Sequence, residues 1–374
     1  MKKVLFLITC MTTGGAEKVL IDLVNSLDKY KYDITVMLVY KKSIYDKNTI
    51  NFNKYFNNNI RVKYICNNDF ELLYRIFNIS LNRINNKIIH KIFIGNKYDI
   101  EVAFSEGLPT KIISNSNNKK SNKIAWLHTD SKNRTRNMNS NLLNDEKYMY
   151  SKFDKLVAVS SSVCKSFQDL YGTFNNINVK YNPIDTNKII NKAKEVVDIE
   201  FDYNIKFVAV GRLTEVKGYE RLIQVVRKLK DEKFEFRLFI IGDGELKSKL
   251  ENMIEEYNLL DSVILLGLQE NPYKYLSKCD VFVCSSFIEG LSTVVLEAIS
   301  INIPVITTNC NGMREIFGGY ECGIICENSS QGLYGALKNI LLEPNLIDKY
   351  SNNCKYRANQ FSIDRAIKEI EKIL

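Results

Sequence analysis

The 374-residue sequence has little proline (five residues), one tryptophan and only two histidines, His90 and His128. Its longest apolar runs, such as Val4–Thr9 and Val263–Leu268, are strand-sized and far short of the roughly 20 residues that a helix needs to cross a bilayer. Two lysines and a short apolar run open the chain. No long hydrophobic region follows before Thr12-Thr13-Gly14-Gly15, so the segment reads as a first strand and not as a secretory signal. There is no G-x-G-x-x-G fingerprint and no P-loop. The nine cysteines are odd in number, scattered and mostly inside apolar runs, as with Cys10, Cys279 and Cys284, which excludes a disulfide framework and fits reduced thiols in the cytoplasm. Cys322 and Cys326 form a C-x3-C with no second pair and no nearby histidine, which reads as two core or loop thiols and not as a zinc site.

What is present is ordinary globular material: 45% hydrophobic and 25% charged residues exclude a disordered chain, and the length suits two domains. Lys plus Arg outnumber Asp plus Glu by 52 to 43, a net charge of +9 that favours anionic partners without choosing among them. Short apolar strands alternate with amphipathic helical stretches from end to end. In the first half the strands read Val4–Thr9, Asp33–Tyr40, Arg61–Ile65, Ile100–Ser105, Lys123–His128, Lys155–Ser160 and Ile177–Tyr181. In the second they read Ile205–Val210, Arg237–Gly242, Val263–Leu268, Val281–Ser286 and Pro304–Asn309. Leu222, Ile223, Val226 and Leu229 share one helical face, as do Leu246, Leu250, Ile254 and Tyr257. The alternation predicts an α/β chain of parallel sheets covered by helices on both faces.

Tyr181-Asn182-Pro183-Ile184-Asp185 marks the boundary, giving domains over 1–182 and 183–355, with 356–374 packing back on the first. Ser351–Leu374 reads as one helix long enough to pass between them. From Lys41 to Lys97 there are eleven Lys or Arg against three acids. Within this stretch Leu73, Ile76, Phe77, Leu81, Ile84, Ile88 and Ile92 recur at helical spacing beside Arg75, Arg83, Lys87 and Lys91. A helix against an anionic membrane surface would look like this; so would a core-facing stripe with a solvated basic edge, the reading favoured here.

Three constellations carry chemistry. Gly14-Gly15-Ala16-Glu17 follows the first strand and opens a helix, where glycines admit a ligand and the helix N-terminus favours an anion; a tight turn without a ligand looks the same. Val210-Gly211-Arg212-Leu213 followed by Lys217-Gly218 lies past the carboxyl end of a strand. Parallel sheets bind ligands there, and an Arg and a Lys suit a diphosphate, although a solvated surface pair is an equal reading. Glu289-Gly290-Leu291-Ser292-Thr293, running on to Glu297, places two carboxylates and free backbone N–H groups on a strand–loop–helix. Each glutamate alone reads as charge complementarity at a helix start; the E-x7-E arrangement is more specific.

With these go Ala125-Trp126-Leu127-His128-Thr129-Asp130, Val157-Ala158-Val159-Ser160, Tyr181-Asn182-Pro183-Ile184-Asp185 and Ile241-Gly242-Asp243-Gly244-Glu245. Together, in this order over nearly the whole chain, they resemble a GT-B retaining glycosyltransferase of glycosyltransferase family four. The Glu101–Asp130 stretch is similar to members that build capsular or other surface polysaccharides. The resemblance implies two Rossmann-like domains facing a cleft, a C-terminal helix crossing back to the N-terminal domain, and a hexosyl-type transfer. The sugar would move from a nucleoside-diphosphate donor, UDP-sugar favoured, to a glycan or lipid-linked acceptor. It implies that Arg212 and Lys217 hold the donor diphosphate, with Gly211 between strand and loop. Glu289 would contact the transferred sugar, backbone N–H groups of Gly290, Leu291 and Ser292 would meet phosphate or sugar, and Glu297 would bind ribose. Gly15 would let the N-terminal domain approach, and His128 would line the reaction centre. His90 reads as structural. Glu106, at a strand end, is an acceptor-side candidate and equally a loop carboxylate.

Fixed cations and N–H dipoles stabilise a departing phosphate. There is no D-x-D to hold a divalent ion, so metal-independent, front-face transfer without a cofactor is expected. Closing the cleft would exclude water. A peripheral place at the inner face of the cell membrane would suit a lipid-linked acceptor. A non-hydrolysing nucleotide-sugar epimerase and a catalytically inactive partner subunit are the competing readings; nucleic-acid binding rests on net charge alone.

Overall fold

The computed structural model describes residues 1–12, 14–41, 52–67, 85–135, 138–197, 199, 201 and 204–374. They form two compact units, Met1–Pro183 with Asp364–Leu374, and Ile184–Ile363.

The first unit is built on seven strands: β1 (Lys2–Ile8), β2 (Tyr32–Tyr40), β3 (Arg61–Cys66), β4 (Ile100–Ala103), β5 (Asn122–Leu127), β6 (Lys155–Ala158) and β7 (Ile177–Val179). All pair in parallel, in the order β3-β2-β1-β4-β5-β6-β7. Val4, Leu5, Phe6 and Leu7 of β1 are fully buried, which is why the strand reads as an unbroken apolar run and not as an alternation. The sheet also buries a polar pair: His90 Nε2 lies 3.0 Å from Glu101 Oε2, with both side chains inaccessible to solvent. Glu101 sits on β4, and Asn118 Nδ2 donates to its other oxygen at 3.3 Å.

The second unit carries six strands: β8 (Lys206–Val210), β9 (Arg237–Ile241), β10 (Val263–Gly267), β11 (Val281–Cys284), β12 (Val305–Thr308) and β13 (Gly323–Cys326), again all parallel, in the order β10-β9-β8-β11-β12-β13. The expected helical faces are inside. Leu222, Ile223, Val226 and Leu229 of helix Tyr219–Asp231 are buried, and so are Leu250 and Ile254 of helix Lys247–Glu256. The chain is thus α/β with two doubly wound sheets, the GT-B class of unit expected from the sequence.

Two features differ from expectation. β13 is a strand that the sequence did not announce, because its four residues, Gly323 and Cys326 included, are too few to show a period. The single helix expected over Ser351–Leu374 is two helices, Leu346–Ala358 and Ile363–Glu371. Between them, Gln360 N and Phe361 N turn back onto Arg357 O and Ala358 O at 3.0 and 2.9 Å, which closes the first helix and lets the chain change direction. The second of these helices belongs to the first unit from Asp364 onward. Lys180 Nζ pairs with Glu369 at 3.0 Å, and Lys155 Nζ donates to Ile373 O at 2.8 Å.

Most of the basic amphipathic stretch, including Leu73, Arg75, Ile76, Phe77, Leu81, Arg83 and Ile84, lies outside the described residues. Its end is a helical turn, Asn86–Ile89, continued by a π-helical turn, His90–Ile94, that exposes Ile88 and Ile92. Among the described residues no helix is long and apolar enough to cross a membrane.

Candidate active site

In each sheet the strand order reverses between two neighbours, β1 and β4 in the first and β8 and β11 in the second. Loops leaving such neighbours diverge and open a crevice past the strand ends, where doubly wound sheets bind ligands. In the second unit the β8 loop carries Gly211, Arg212 and Lys217, and the β11 loop carries Glu289 to Ser292.

Backbone packing sets the β8 loop. Gly242 ends β9 at φ +151, and a Cβ there would lie 1.9 Å from Gly211 O, so only glycine allows the two loops to touch. Leu213 N donates to Asp243 O at 2.9 Å, and Leu246 N to Leu213 O at 3.0 Å. Gly242-Asp243-Gly244 therefore serves as a brace for the Arg212 loop. Gly218, at φ +66, then starts helix Tyr219–Asp231, and a Cβ on it would fall 2.3 Å from Ser285 O.

This approach brings Lys217 and Glu289 together, although 72 positions separate them: Lys217 Nζ lies 2.7 Å from Glu289 Oε1. The pair is largely shielded, with side-chain exposures of 25% and 11%. Burial pulls the Lys217 pKa down, but the adjacent carboxylate outweighs it and holds the ammonium above its ordinary value. Ser286 Oγ donates to the same Glu289 oxygen at 2.6 Å, and Ser285 Oγ donates to Lys217 O at 2.8 Å. Around the pair lies a cavity of about 10 Å³, room for roughly one water, lined by Tyr219, Cys284 and Ser286 among others. Burial, together with Cys284 and Glu289, pushes the Tyr219 phenol far up, so it stays protonated. Ser285, Ser286 and Tyr219 were not among the residues that sequence reasoning selected. Their only signal is position, two serines where an apolar strand stops at the reversal.

Arg212 is exposed on the same loop and its charge is felt at Lys217. Gly211 packs beside Lys217, a Cβ there falling 3.5 Å from Lys217 Cε and 2.9 Å from the Tyr219 hydroxyl. Beyond Glu289, buried Leu291 and Ser292 lead into helix Thr293–Ser300; Ser292 Oγ has no hydrogen-bond partner among the described residues. Glu297 is buried on the second turn of that helix, 5% exposed.

In the first unit Glu106 follows β4 and His128 follows β5. Glu106 Oε1 accepts from His128 N at 2.8 Å, from Thr129 N at 2.9 Å and from Thr129 Oγ1 at 2.9 Å. One carboxylate oxygen is thus occupied in holding the His128 loop. The His128 ring sits 4.9 Å from the Phe104 ring. Burial lowers the His128 pKa against the opposing pull of Glu106 and of a hydrogen bond to the Phe104 backbone, so the imidazole is neutral, and its buried Nε2 is unpartnered. Gly15 heads helix Gly15–Ser26, exposed, with Thr12 Oγ1 donating to Glu17 Oε1 at 2.7 Å just before it. Among the described residues no group of three or more His, Cys, Asp or Glu is arranged to hold a metal ion.

Residues 192–361, which contain Arg212, Lys217, Glu289 and Glu297, match the family described as glycosyl transferases group 1. The match lies wholly within the second unit, Ile184–Ile363. The chain is 32% identical over 232 residues to the Campylobacter jejuni N-acetylgalactosamine-N,N'-diacetylbacillosaminyl-diphospho-undecaprenol 4-alpha-N-acetylgalactosaminyltransferase, a match covering 60% of this chain and 61% of that relative, under two thirds of its length. It is 25% identical over 378 residues to an uncharacterized glycosyltransferase of Haemophilus influenzae, covering 100% of both. Among solved structures it resembles Anabaena HepE in complex with UDP and glucose, with a TM-score of 0.77 over 100% of this chain and 99% of that one at 17% identity, a likeness of fold.

Proposed function

We propose that this chain is a group 1 glycosyltransferase that moves a hexosyl unit from a UDP-sugar to a hydroxyl of a glycan or lipid-linked acceptor in surface polysaccharide biosynthesis, with retention of the anomeric configuration. The observation that carries the reading is the Lys217–Glu289 pair at the strand-order reversal of the second sheet, 2.7 Å apart and largely shielded from water.

Breaking a sugar–phosphate bond leaves negative charge on the diphosphate and positive character on the sugar. Lys217 and Arg212 are the cations to meet the first, and at the partly shielded Lys217 the field is stronger than in water. Glu289 accepts hydrogen bonds from hydroxyls of the transferred sugar. The backbone N–H groups of Gly290, Leu291 and Ser292, at a helix start, meet phosphate or sugar, and Glu297 meets ribose. These protein charges would serve in place of a metal ion. No side chain of the second unit's site is disposed as a covalent nucleophile in this reading, so transfer proceeds on one face, the departing phosphate taking the acceptor proton. In the first unit Gly15 and neutral His128 serve the sugar, and Glu106 acts on the acceptor side by fixing the His128 loop.

The acceptor reading is supported by the Campylobacter relative, whose name specifies a diphospho-undecaprenol carrier. A carrier phosphate suits the basic Lys41–Lys97 stretch and a peripheral place at the cytoplasmic face of the membrane. Flotation with vesicles containing anionic lipid should show binding that neutral vesicles do not; equal partition would remove the membrane part of the proposal. The main test is a panel of UDP- and GDP-sugars assayed for nucleotide release with and without acceptor. Release from UDP-sugars is expected, and release from none of the panel would overturn the assignment.

A further inference from the structure

Arg221 lies in the first turn of helix Tyr219–Asp231 and is 6% exposed. A guanidinium taken out of water normally demands a carboxylate. Arg221 has none among its partners in the described residues. Its Nε donates to Ser285 O at 3.0 Å, and its Nη2 to Ser285 O at 2.5 Å, to Ser286 O at 2.8 Å and to Asn328 Oδ1 at 2.8 Å. Its Cζ stacks 3.7 Å from the centre of the Phe287 ring. Apart from the bond to Asn328, this grip falls on three consecutive residues, Ser285 to Phe287, between β11 and Glu289.

Those three residues are the ones that set the pair. Ser286 holds Glu289 Oε1, Ser285 holds Lys217 O, and Phe287 N donates to Val216 O at 2.8 Å. The clamp is reinforced from its far side, where Thr308 Oγ1 donates to Ser286 O at 2.6 Å and Asn328 Nδ2 to Phe287 O at 2.8 Å. The fork geometry matters: one rigid planar cation spans two successive carbonyls and stacks on Phe287 at once, a fixed arrangement that a lysine ammonium on a flexible stem does not reproduce. Gly218, whose missing Cβ leaves room for Ser285 O, completes the fit.

We propose that Arg221 is a positioning residue for transfer: it fixes the Ser285–Phe287 backbone so that Glu289 and Lys217 meet. The proposal rests on the donor-site reading above. Arg221 itself touches no donor atom in it, and acts through the two serines.

The test compares Arg221→Met and Arg221→Lys with the wild-type chain by crystal structure, donor kinetics and UDP calorimetry. In Arg221→Met the Lys217–Glu289 contact is expected to open, with kcat falling about 100-fold, the scale of loss when reacting groups are misplaced. KM and the UDP Kd should change by less than about tenfold, because an orienting contact is lost in turnover more than in binding. Arg221→Lys, which keeps the charge and the fold if Arg221→Met unfolds, should recover only part of kcat. A Met or Lys variant with the pair intact at its wild-type distance, or with unchanged kcat, overturns the proposal. So does a Lys variant with full activity, since charge alone would then suffice. A wild-type chain that transfers no sugar, while the pair still opens in Arg221→Met, overturns the donor-site reading and supports the hold of Arg221 on the pair.

Discussion

Lys217 Nζ and Glu289 Oε1 are 2.7 Å apart, so the ammonium proposed to meet the donor diphosphate is already neutralised by the carboxylate proposed to meet the sugar. In that proposal diphosphate and carboxylate compete for one cation, and donor binding loosens a pair that also organises the site.

Glu289→Gln separates the two roles. The amide still accepts from Ser286 but no longer neutralises Lys217. UDP should bind about threefold to tenfold more tightly, the equivalent of a partly exposed ion pair released. Transfer should fall about 100-fold, as when one preorganised polar contact to the reacting sugar is removed. Calorimetry with UDP and a turnover assay measure both, and weaker UDP binding would show that the pair does not compete with phosphate.

Lys217→Ala leaves Glu289 shielded from solvent without its cation. Removing one partner of a buried pair costs about 3–5 kcal/mol, and the partial exposure here reduces that to about 1–3 kcal/mol. Urea unfolding should show this loss, and UDP binding should weaken at the same time. The raised pKa of Lys217 sets the pH window. A lysine whose folded pKa lies above its unfolded value stabilises fully below about pH 10.4 and loses that contribution as pH climbs through the folded value. The stability difference between the wild type and Lys217→Ala should therefore be flat from pH 7 to 9 and shrink only in strong alkali.

His128 has the opposite sign. Its pKa is lowered, chiefly by burial, so the unfolded chain takes up a proton before the folded one does. Its contribution is complete above about pH 6.5 and disappears as pH falls through the folded value. The melting temperature should drop from pH 7 to pH 5 more steeply in the wild type than in His128→Phe, which keeps the ring against Phe104. Parallel curves would mean that His128 does not titrate in this range.

Gly218→Ala tests the close approach directly. The new methyl would lie 2.3 Å from Ser285 O at a φ of +66, so either the helix start or the β11 loop must move. A destabilisation of more than about 1 kcal/mol is expected, because a side chain is forced into a left-handed conformation. Lost turnover should accompany it, read by denaturant titration alongside donor assays.

The parallel sheets were legible because buried strands such as Val4–Leu7 and Phe207–Ala209 are unbroken apolar runs that no other packing explains. Lys217 and Glu289 stood out one at a time, each at a strand end. Their meeting did not, since nothing local records a contact across 72 positions. Arg221 looked like one more basic residue on a helix, and only the strand order shows that its side chain reaches the next loop. Gly242-Asp243-Gly244 looked like a failed nucleotide fingerprint, because the backbone contact that requires it comes from Gly211, on the neighbouring strand. Glu106 was legible as a loop carboxylate, but the N–H groups of His128 and Thr129 that occupy it come from the end of β5.

The return of Asp364–Leu374 to the first unit has a consequence for biosynthesis. Lys31, Lys155 and Lys180 meet Glu371, Ile373 O and Glu369, and Lys2 Nζ donates to Leu374 O at 3.0 Å, so strands that precede the second unit in the chain wait for residues that follow the whole of it. On the ribosome the later unit is complete before the earlier one. Until then the first unit lacks the helix whose Ile367 and Ile370 are buried in the finished fold, and incompletely covered apolar surface of that kind is what makes a nascent chain prone to aggregate.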